Sequence, residues 1–197
     1  MMKIGVLALQ GAVAEHIRML EEAGATAVAV KKVEELDELD GLVIPGGEST
    51  TIGKLMNKYG FVEKLREFGQ AKKPMFGTCA GAIVLATRIN GQDDVHLGLM
   101  DMKVDRNSFG RQKDSFEVAL PIAGVAADYP AVFIRAPHIM EVGAGSEVLS
   151  KFEDRIVAAR QGHYLAASFH PELTEDIRLH QYFLTMVKEY YGEKASV

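Results

Sequence analysis

Pro74-Met75-Phe76-Gly77-Thr78-Cys79-Ala80-Gly81-Ala82-Ile83-Val84-Leu85 reads as a short apolar strand, a glycine-bounded turn and the start of an apolar helix. Gly77 and Gly81 stand two residues either side of Cys79, the pattern of a G-x-nucleophile-x-G elbow with sulfur in place of a serine hydroxyl. So tight a strand-to-helix turn has a steric need for glycine on both flanks. It lifts the Cys79 side chain clear of the sheet and sets the sulfur at the amino end of a helix. There the helix dipole and free N–H groups favour the thiolate. The N–H of Ala80 would point at a tetrahedral oxyanion. A lone cysteine is more often a small buried apolar residue; the paired glycines at a β-to-α junction favour the nucleophile.

Outward from this stretch, apolar runs and amphipathic stretches alternate. Residues 4–9, 26–30 and 41–44 read as strands, and residues 12–23, 49–59 and 61–70 as helices, with Gly60 breaking the second from the third. The helix after the elbow is expected over residues 80–87. The first ninety residues therefore run β-α-β-(α)-β-α-α-β-α, which implies right-handed crossovers. Near-continuous Val/Ile/Leu runs suit strands covered on both faces. The second half is strand-rich, with runs at 99–104, 115–120, 131–135, 138–142, 155–161 and 164–169. A last helix over 174–191 carries Leu179, Tyr182, Phe183, Met186, Val187 and Tyr190 on one stripe, which should pack on the sheet. Met56, Met75 and Met186 fall at core-like positions. The expected architecture is a single-domain, three-layer α/β fold over residues 1–192. Its sheet is doubly wound, mostly parallel and flavodoxin-like, with antiparallel additions. Residues 193–197 are expected to be a frayed tail.

Composition narrows the function classes. The chain has 197 residues, and 22 Lys and Arg against 27 Asp and Glu give a net charge of −5. That sign argues against a nucleic-acid partner. A single cysteine excludes an intrachain disulfide and is what a reducing cytoplasm would give. No apolar run approaches the ~20 residues of a membrane span, and residues 1–9 are too short for a signal peptide.

Two further segments carry chemistry. Phe169-His170-Pro171-Glu172 follows the strand at 164–169. In an extended segment residues i and i+2 face one side, so His170 and Glu172 can serve one site. A nucleophilic thiol needs a base, and the base needs a third group to orient it. The alternative is a loop histidine beside a solvated glutamate. Pro45-Gly46-Gly47-Glu48-Ser49 lies at the carboxyl end of the third strand, where ligands of open α/β sheets bind. Its paired glycines let backbone N–H groups approach a substrate. A simple turn with Ser49 or Thr50 as helix N-cap is compatible with that role.

Together and in this order, these segments resemble the class I (triad) glutamine amidotransferases. Further stretches narrow the likeness to the glutaminase subunits of pyridoxal 5′-phosphate synthases: Gly5-Val6-Leu7-Ala8-Leu9-Gln10-Gly11, Arg106-Asn107-Ser108-Phe109-Gly110-Arg111-Gln112 and Phe133-Ile134-Arg135-Ala136-Pro137. The resemblance runs from Ile4 to about Tyr190. It implies Cys79 as nucleophile, with His170 and Glu172 completing a triad. It implies a glutamine-binding loop of Gly46, Gly47, Glu48 and Ser49, with Arg106, Ile134 and Arg135 also contacting L-glutamine. Gly47 and Ala80 would supply the oxyanion N–H groups. It implies no metal and no organic cofactor. The implied partner is a (β/α)₈-barrel synthase subunit that uses the ammonia to make pyridoxal 5′-phosphate, vitamin B6, in an assembly of twelve synthase and up to twelve glutaminase subunits. Ser108 stands where that family more often has alanine, and Ala82 where a larger aliphatic is common. The residues alone leave three other readings open. One is a triad amidotransferase subunit serving histidine, anthranilate or guanylate synthesis. The others are a free-standing hydrolase of γ-glutamyl bonds and a non-catalytic module on the same fold.

Overall fold

The structure, a computed structural model, describes residues 1–106 and 115–195, without the side chains of 193–195. Asn107, Ser108, Phe109, Gly110, Arg111 and Gln112, which carry part of the resemblance, lie outside the described residues. In chain order the elements are β1 (Lys3–Leu7), α1 (Val13–Glu22), β2 (Thr26–Val30), β3 (Gly41–Ile44), α2 (Ser49–Lys58), α3 (Phe61–Gln70), β4 (Met75–Thr78), α4 (Ala80–Leu85) and β5 (Ala86–Ile89). There follow β6 (Met100–Asp105), β7 (Ser115–Ile122), β8 (Ala126–Ile134), β9 (His138–Val142), β10 (Glu147–Phe152), β11 (Arg155–Gln161), β12 (Tyr164–Ala167) and α5 (Arg178–Ala195).

Every residue of β3, β4 and β12 is buried, which is why their sequences are continuous apolar or small runs rather than alternating ones. They belong to a parallel block in the order β2-β1-β3-β4-β12. Antiparallel strands β11, β9 and β6 extend it, β5 closes the far edge and β10 pairs with β11. β7 and β8 form a separate antiparallel pair.

One face of the sheet packs on α2 and α3 through Ile52, Met56, Phe61, Leu65 and Phe68. The other packs on α1, α5 and the β7–β8 pair through Leu20, Leu179, Phe183, Val187, Leu120 and Phe133. Each such side chain stabilises the fold by roughly 1.5–3 kcal/mol when fully buried. This is the expected doubly wound arrangement. β1 leads to one face and β3 to the other, so a crevice opens where their carboxyl ends part. Met56, Met75 and Met186 are buried in the core, as their spacing suggested.

Several boundaries differ from the sequence reading. The helix expected to reach Thr87 ends at Leu85, and Ala86–Ile89 is a strand beside β6. A short apolar run has too little periodicity to separate the two states. β10 gave no alternating signal because its pairing with β11 slips between Val148 and Lys151. The bracketed helix before β3 is a 3₁₀ turn, Val33–Glu38. α5 begins at Arg178 rather than 174, because Thr174 and Asp176 side chains accept backbone N–H groups of Asp176 and Arg178 and hold turns there. Tyr182 packs against the same core but is only partly buried, and its hydroxyl accepts a hydrogen bond from Arg160 Nη1 at 3.1 Å. No helix among the described residues is long and apolar enough to cross a membrane.

Candidate active site

Cys79 links β4 to α4 with φ 51° and ψ −111°, a conformation that residues with side chains rarely adopt. A Cβ on Gly77 would overlap the Gly81 carbonyl, and one on Gly81 would overlap the Ile44 carbonyl of β3. Both glycines are thus required by backbone packing around the elbow. The Cys79 N–H donates to the Ala167 carbonyl of β12 at 2.8 Å, and its own carbonyl accepts from the Ala82 N–H at 3.1 Å. The sulfur lies 4.0 Å from the Ile134 carbonyl at the end of β8.

β12 neighbours β4, so the segment that follows β12 arrives beside the elbow. The His170 N–H donates to the Val132 carbonyl of β8 at 2.8 Å, which pins the backbone under its ring. The sequence suggested an extended stretch here. Instead Pro171–Leu173 is a 3₁₀ turn, begun by the fixed φ of Pro171 at its first position. The turn still brings the two side chains together: His170 Nδ1 is 2.6 Å from Glu172 Oε1. The Glu172 side chain has no solvent exposure. His170 Nδ1 donates to that carboxylate, which leaves Nε2 for the Cys79 side of the ring. Burial lowers the His170 pKa. Its hydrogen bonds and charge interactions with Cys79 and Glu172 outweigh that and push it up to about 10. The imidazole is therefore protonated at neutral pH.

The loop after β3 closes the site. A Cβ placed on Gly46 would lie 2.7 Å from His170 Cε1 and 3.3 Å from Cys79 Cβ, so both side chains converge on that glycine. Gly11, at φ 98°, faces the Gly46 carbonyl so closely that any side chain there would overlap it. Gln10 Oε1 accepts the Glu48 N–H at 2.7 Å. Gln10 and Gly11 were absent from the expected site residues. Their position at the end of β1, across the crevice from Gly46-Gly47, is the signal that could have found them.

Glu48, not Ser49 or Thr50, caps α2. Its carboxylate accepts from the Thr50 and Thr51 N–H groups at 3.0 and 2.7 Å and from Thr51 Oγ1 at 2.8 Å. Arg106 donates to Glu48 Oε1 at 3.3 Å and to Thr50 Oγ1 at 3.2 Å, so it joins the loop through Glu48. Ser49 is buried as the first residue of α2. Ile134 reaches the sulfur with its carbonyl; Arg135 is exposed, with φ 45°. Val132, which holds His170, was not anticipated either.

Partial burial raises the Glu48 pKa, but the hydrogen bonds from Thr51 and Thr50 outweigh it and hold it at about 2, below the usual 4.5. A depressed carboxyl pKa stabilises the fold above about 4.5 and loses that effect as pH falls toward 2. The group is half exposed, so solvent screening keeps the effect small. Glu48→Ala is expected to cost about 1 kcal/mol at neutral pH, the usual cost of a lost N-cap. Urea titrations across the acid range should show the gap between variant and wild type closing over that window.

A sulfur at a helix amino end, beside a protonated imidazole that a buried carboxylate holds, is suited to acyl transfer through a thioester. Residues 6–189 match the SNO glutamine amidotransferase family. The chain belongs to that family. It is similar to the pyridoxal 5′-phosphate synthase subunit PdxT of Brevibacillus brevis, at 78% identity over 96% of this chain and 99% of that one. It is 68% identical to the PdxT of Geobacillus sp. strain WCH70, over 96% of this chain and 98% of that one. A crystal structure of a glutamine amidotransferase shares 49% identity with a TM-score of 0.89, covering 94% of this chain and 98% of that one. PurLQS from Thermotoga maritima shares the fold at 15% identity and a TM-score of 0.69, over 96% of this chain and 99% of that one. Membership in the glutamine amidotransferase family makes the chain an enzyme of amide nitrogen transfer, on an α/β fold that the crystal structure shares.

Proposed function

We infer that the chain is the glutaminase subunit of a pyridoxal 5′-phosphate synthase. It hydrolyses L-glutamine to L-glutamate and passes the ammonia to a synthase subunit. The observation that carries the chemistry is the convergence of Cys79, His170 and Gly46 on one point, with His170 hydrogen-bonded to buried Glu172. High identity to PdxT chains over their full length supports the assignment to vitamin B6 biosynthesis.

The Cys79 thiolate attacks the carboxamide carbon of glutamine and forms a C–S bond. The carbonyl oxygen takes the negative charge and is met by the N–H groups of Gly47 and Ala80. His170, as an imidazolium steadied by Glu172, gives its proton to the amide nitrogen, and the C–N bond breaks to release ammonia. Neutral His170 then takes a proton from water as that water attacks the thioester; the C–S bond breaks, which restores the Cys79 thiolate and the His170 imidazolium, and the new carboxyl group leaves as glutamate with its proton passed to ammonia or solvent. Gly46, Glu48, Ser49, Arg106, Ile134 and Arg135 hold the substrate. An arginine is suited to the glutamine carboxylate. Sheltered transfer requires a docked partner; an assembly of twelve synthase subunits carrying up to twelve glutaminases is the one proposed. A cytoplasmic setting keeps the free thiol reduced.

The test is ammonia release from glutamine by the full chain, alone and with a PdxT-type synthase subunit supplied with pentose and triose phosphates. Partner-dependent ammonia release and incorporation of glutamine nitrogen into pyridoxal 5′-phosphate are expected. Equal turnover of γ-glutamyl peptides without any partner would instead establish a free-standing hydrolase.

A further inference from the structure

A line of buried polar side chains runs behind Glu172, and the chemistry above uses none of it. His16 on α1 and His180 on α5 are both completely buried, as is Thr78 at the end of β4. His16 Nδ1 lies 2.9 Å from His180 Nε2. His16 Nε2 lies 3.2 Å from Thr78 Oγ1 and 3.4 Å from Glu172 Oε2. Glu172 Oε1 is taken by His170, while Oε2 is buried with no conventional hydrogen bond among the described residues. An unmatched carboxylate oxygen in the interior is costly, and the ring nitrogen of His16 stands next to it.

The proton positions follow from which arrangement leaves fewer groups unmatched. His180 Nδ1 is buried without a partner among the described residues. If His180 carries its proton on Nε2, it donates to His16 Nδ1, and the unmatched Nδ1 is only a bare lone pair. His16 then carries its proton on Nε2, donates it to Thr78 Oγ1 and sets it beside Glu172 Oε2 at 3.4 Å. The reverse tautomers would bury an N–H of His180 with no acceptor and set a lone pair of His16 against the carboxylate. Burial, His180 and the charge on His170 all lower the pKa of His16, and burial lowers that of His180 to about 3, so both rings are neutral.

We propose that His16, fixed as its Nε2–H tautomer by His180 and bonded to Thr78 Oγ1, holds the positive end of its N–H against Glu172 Oε2 at 3.4 Å and is a positioning residue for the carboxylate that orients His170. This rests on the triad reading of Cys79, His170 and Glu172. A histidine buried on the apolar face of a helix would otherwise be read as packing alone. Packing requires neither a particular tautomer nor a donor at Nε2.

The experiment compares His16→Leu and His16→Gln in the complex with the synthase subunit, reading kcat and KM for glutamine, the alkaline limb of the pH profile and thermal unfolding. The glutamine amide places an N–H near the reach of Nε2; leucine has none. His16→Leu should lower kcat roughly 10- to 100-fold, the range for loss of a group that orients a reactive one, with KM little changed. His16→Gln should recover most of that loss. Unchanged kcat in the folded leucine variant overturns the proposal, and so does an equal loss in both variants that follows their thermal stability. Long-range ¹H–¹⁵N spectra of histidine-labelled wild-type protein decide the matter without a variant. A neutral His16 protonated on Nε2 is expected, and protonation on Nδ1 overturns the assignment. Because the tautomer is read independently of turnover, this failure is distinguishable from a failure of the triad, which a parallel Cys79→Ala assay detects.

Discussion

Cys79→Ala, assayed with the synthase subunit present, is expected to turn over glutamine at least about 10⁴-fold more slowly than wild type. The substitution removes the atom that would form the thioester, and no other group near the elbow offers a nucleophile of like reactivity. The fold should be nearly unaffected. Alanine retains the Cβ, so the unusual backbone at φ 51° is no more strained than before. The Cys79 N–H still donates to Ala167, and the sulfur's lost contacts are a 4.0 Å approach to the Ile134 carbonyl and the interaction with His170, a ring that Glu172 and the Val132 carbonyl still hold. Unfolding stability should change by less than about 1 kcal/mol. The same variant should lower the His170 pKa from about 10, because one of the two groups that hold its proton is gone while burial still opposes the charge. Ammonia release and histidine ¹³C or ¹⁵N titration measure the two effects. A variant that retained a hundredth of normal turnover would end the thioester mechanism.

Glu172→Gln should be the second severe change. The amide has the shape of the carboxylate but no charge to hold an imidazolium, and it can present an N–H to His170 Nδ1 in place of an acceptor. In a hydrolase triad the equivalent loss of charge and tautomer control lowers kcat on the order of 10⁴-fold. The pH profile supplies the sign. His170 is raised from 6.5 to about 10 in the folded chain, so its stabilising effect is full below 6.5 and is lost as pH rises through about 10. Without the carboxylate, the alkaline limb of activity should move to lower pH. The stability gap between wild type and variant should narrow on the alkaline side. A variant with kcat within tenfold of wild type and an unmoved limb would assign the orientation of His170 to another group.

Local patterns made the centre of the site legible. Gly77 and Gly81 announce the elbow because backbone crowding at a strand-to-helix turn leaves no alternative there. His170 and Glu172 were found by spacing, although the spacing argument assumed an extended chain and the structure has a 3₁₀ turn. β5 and β10 were missed because a four-residue strand and a slipped pairing leave little period to read. Gln10 was missed because its hydrogen bond joins Glu48 from 38 residues away, and nothing in its immediate neighbours records that. His16 was hidden for the same reason at longer range: His180 is 164 residues distant.

Short-range sterics and periodicity, acting between residues a few positions apart, are written directly in the chain. They determined the alternating strands and helices, the strained cysteine and the glycines around it. Which carbonyl faces the sulfur, which loop Gln10 holds and which ring stands behind Glu172 depend on strands far apart in the chain being laid side by side. Only the assembled sheet, with β1, β3, β4 and β12 ending at one edge, decided those contacts.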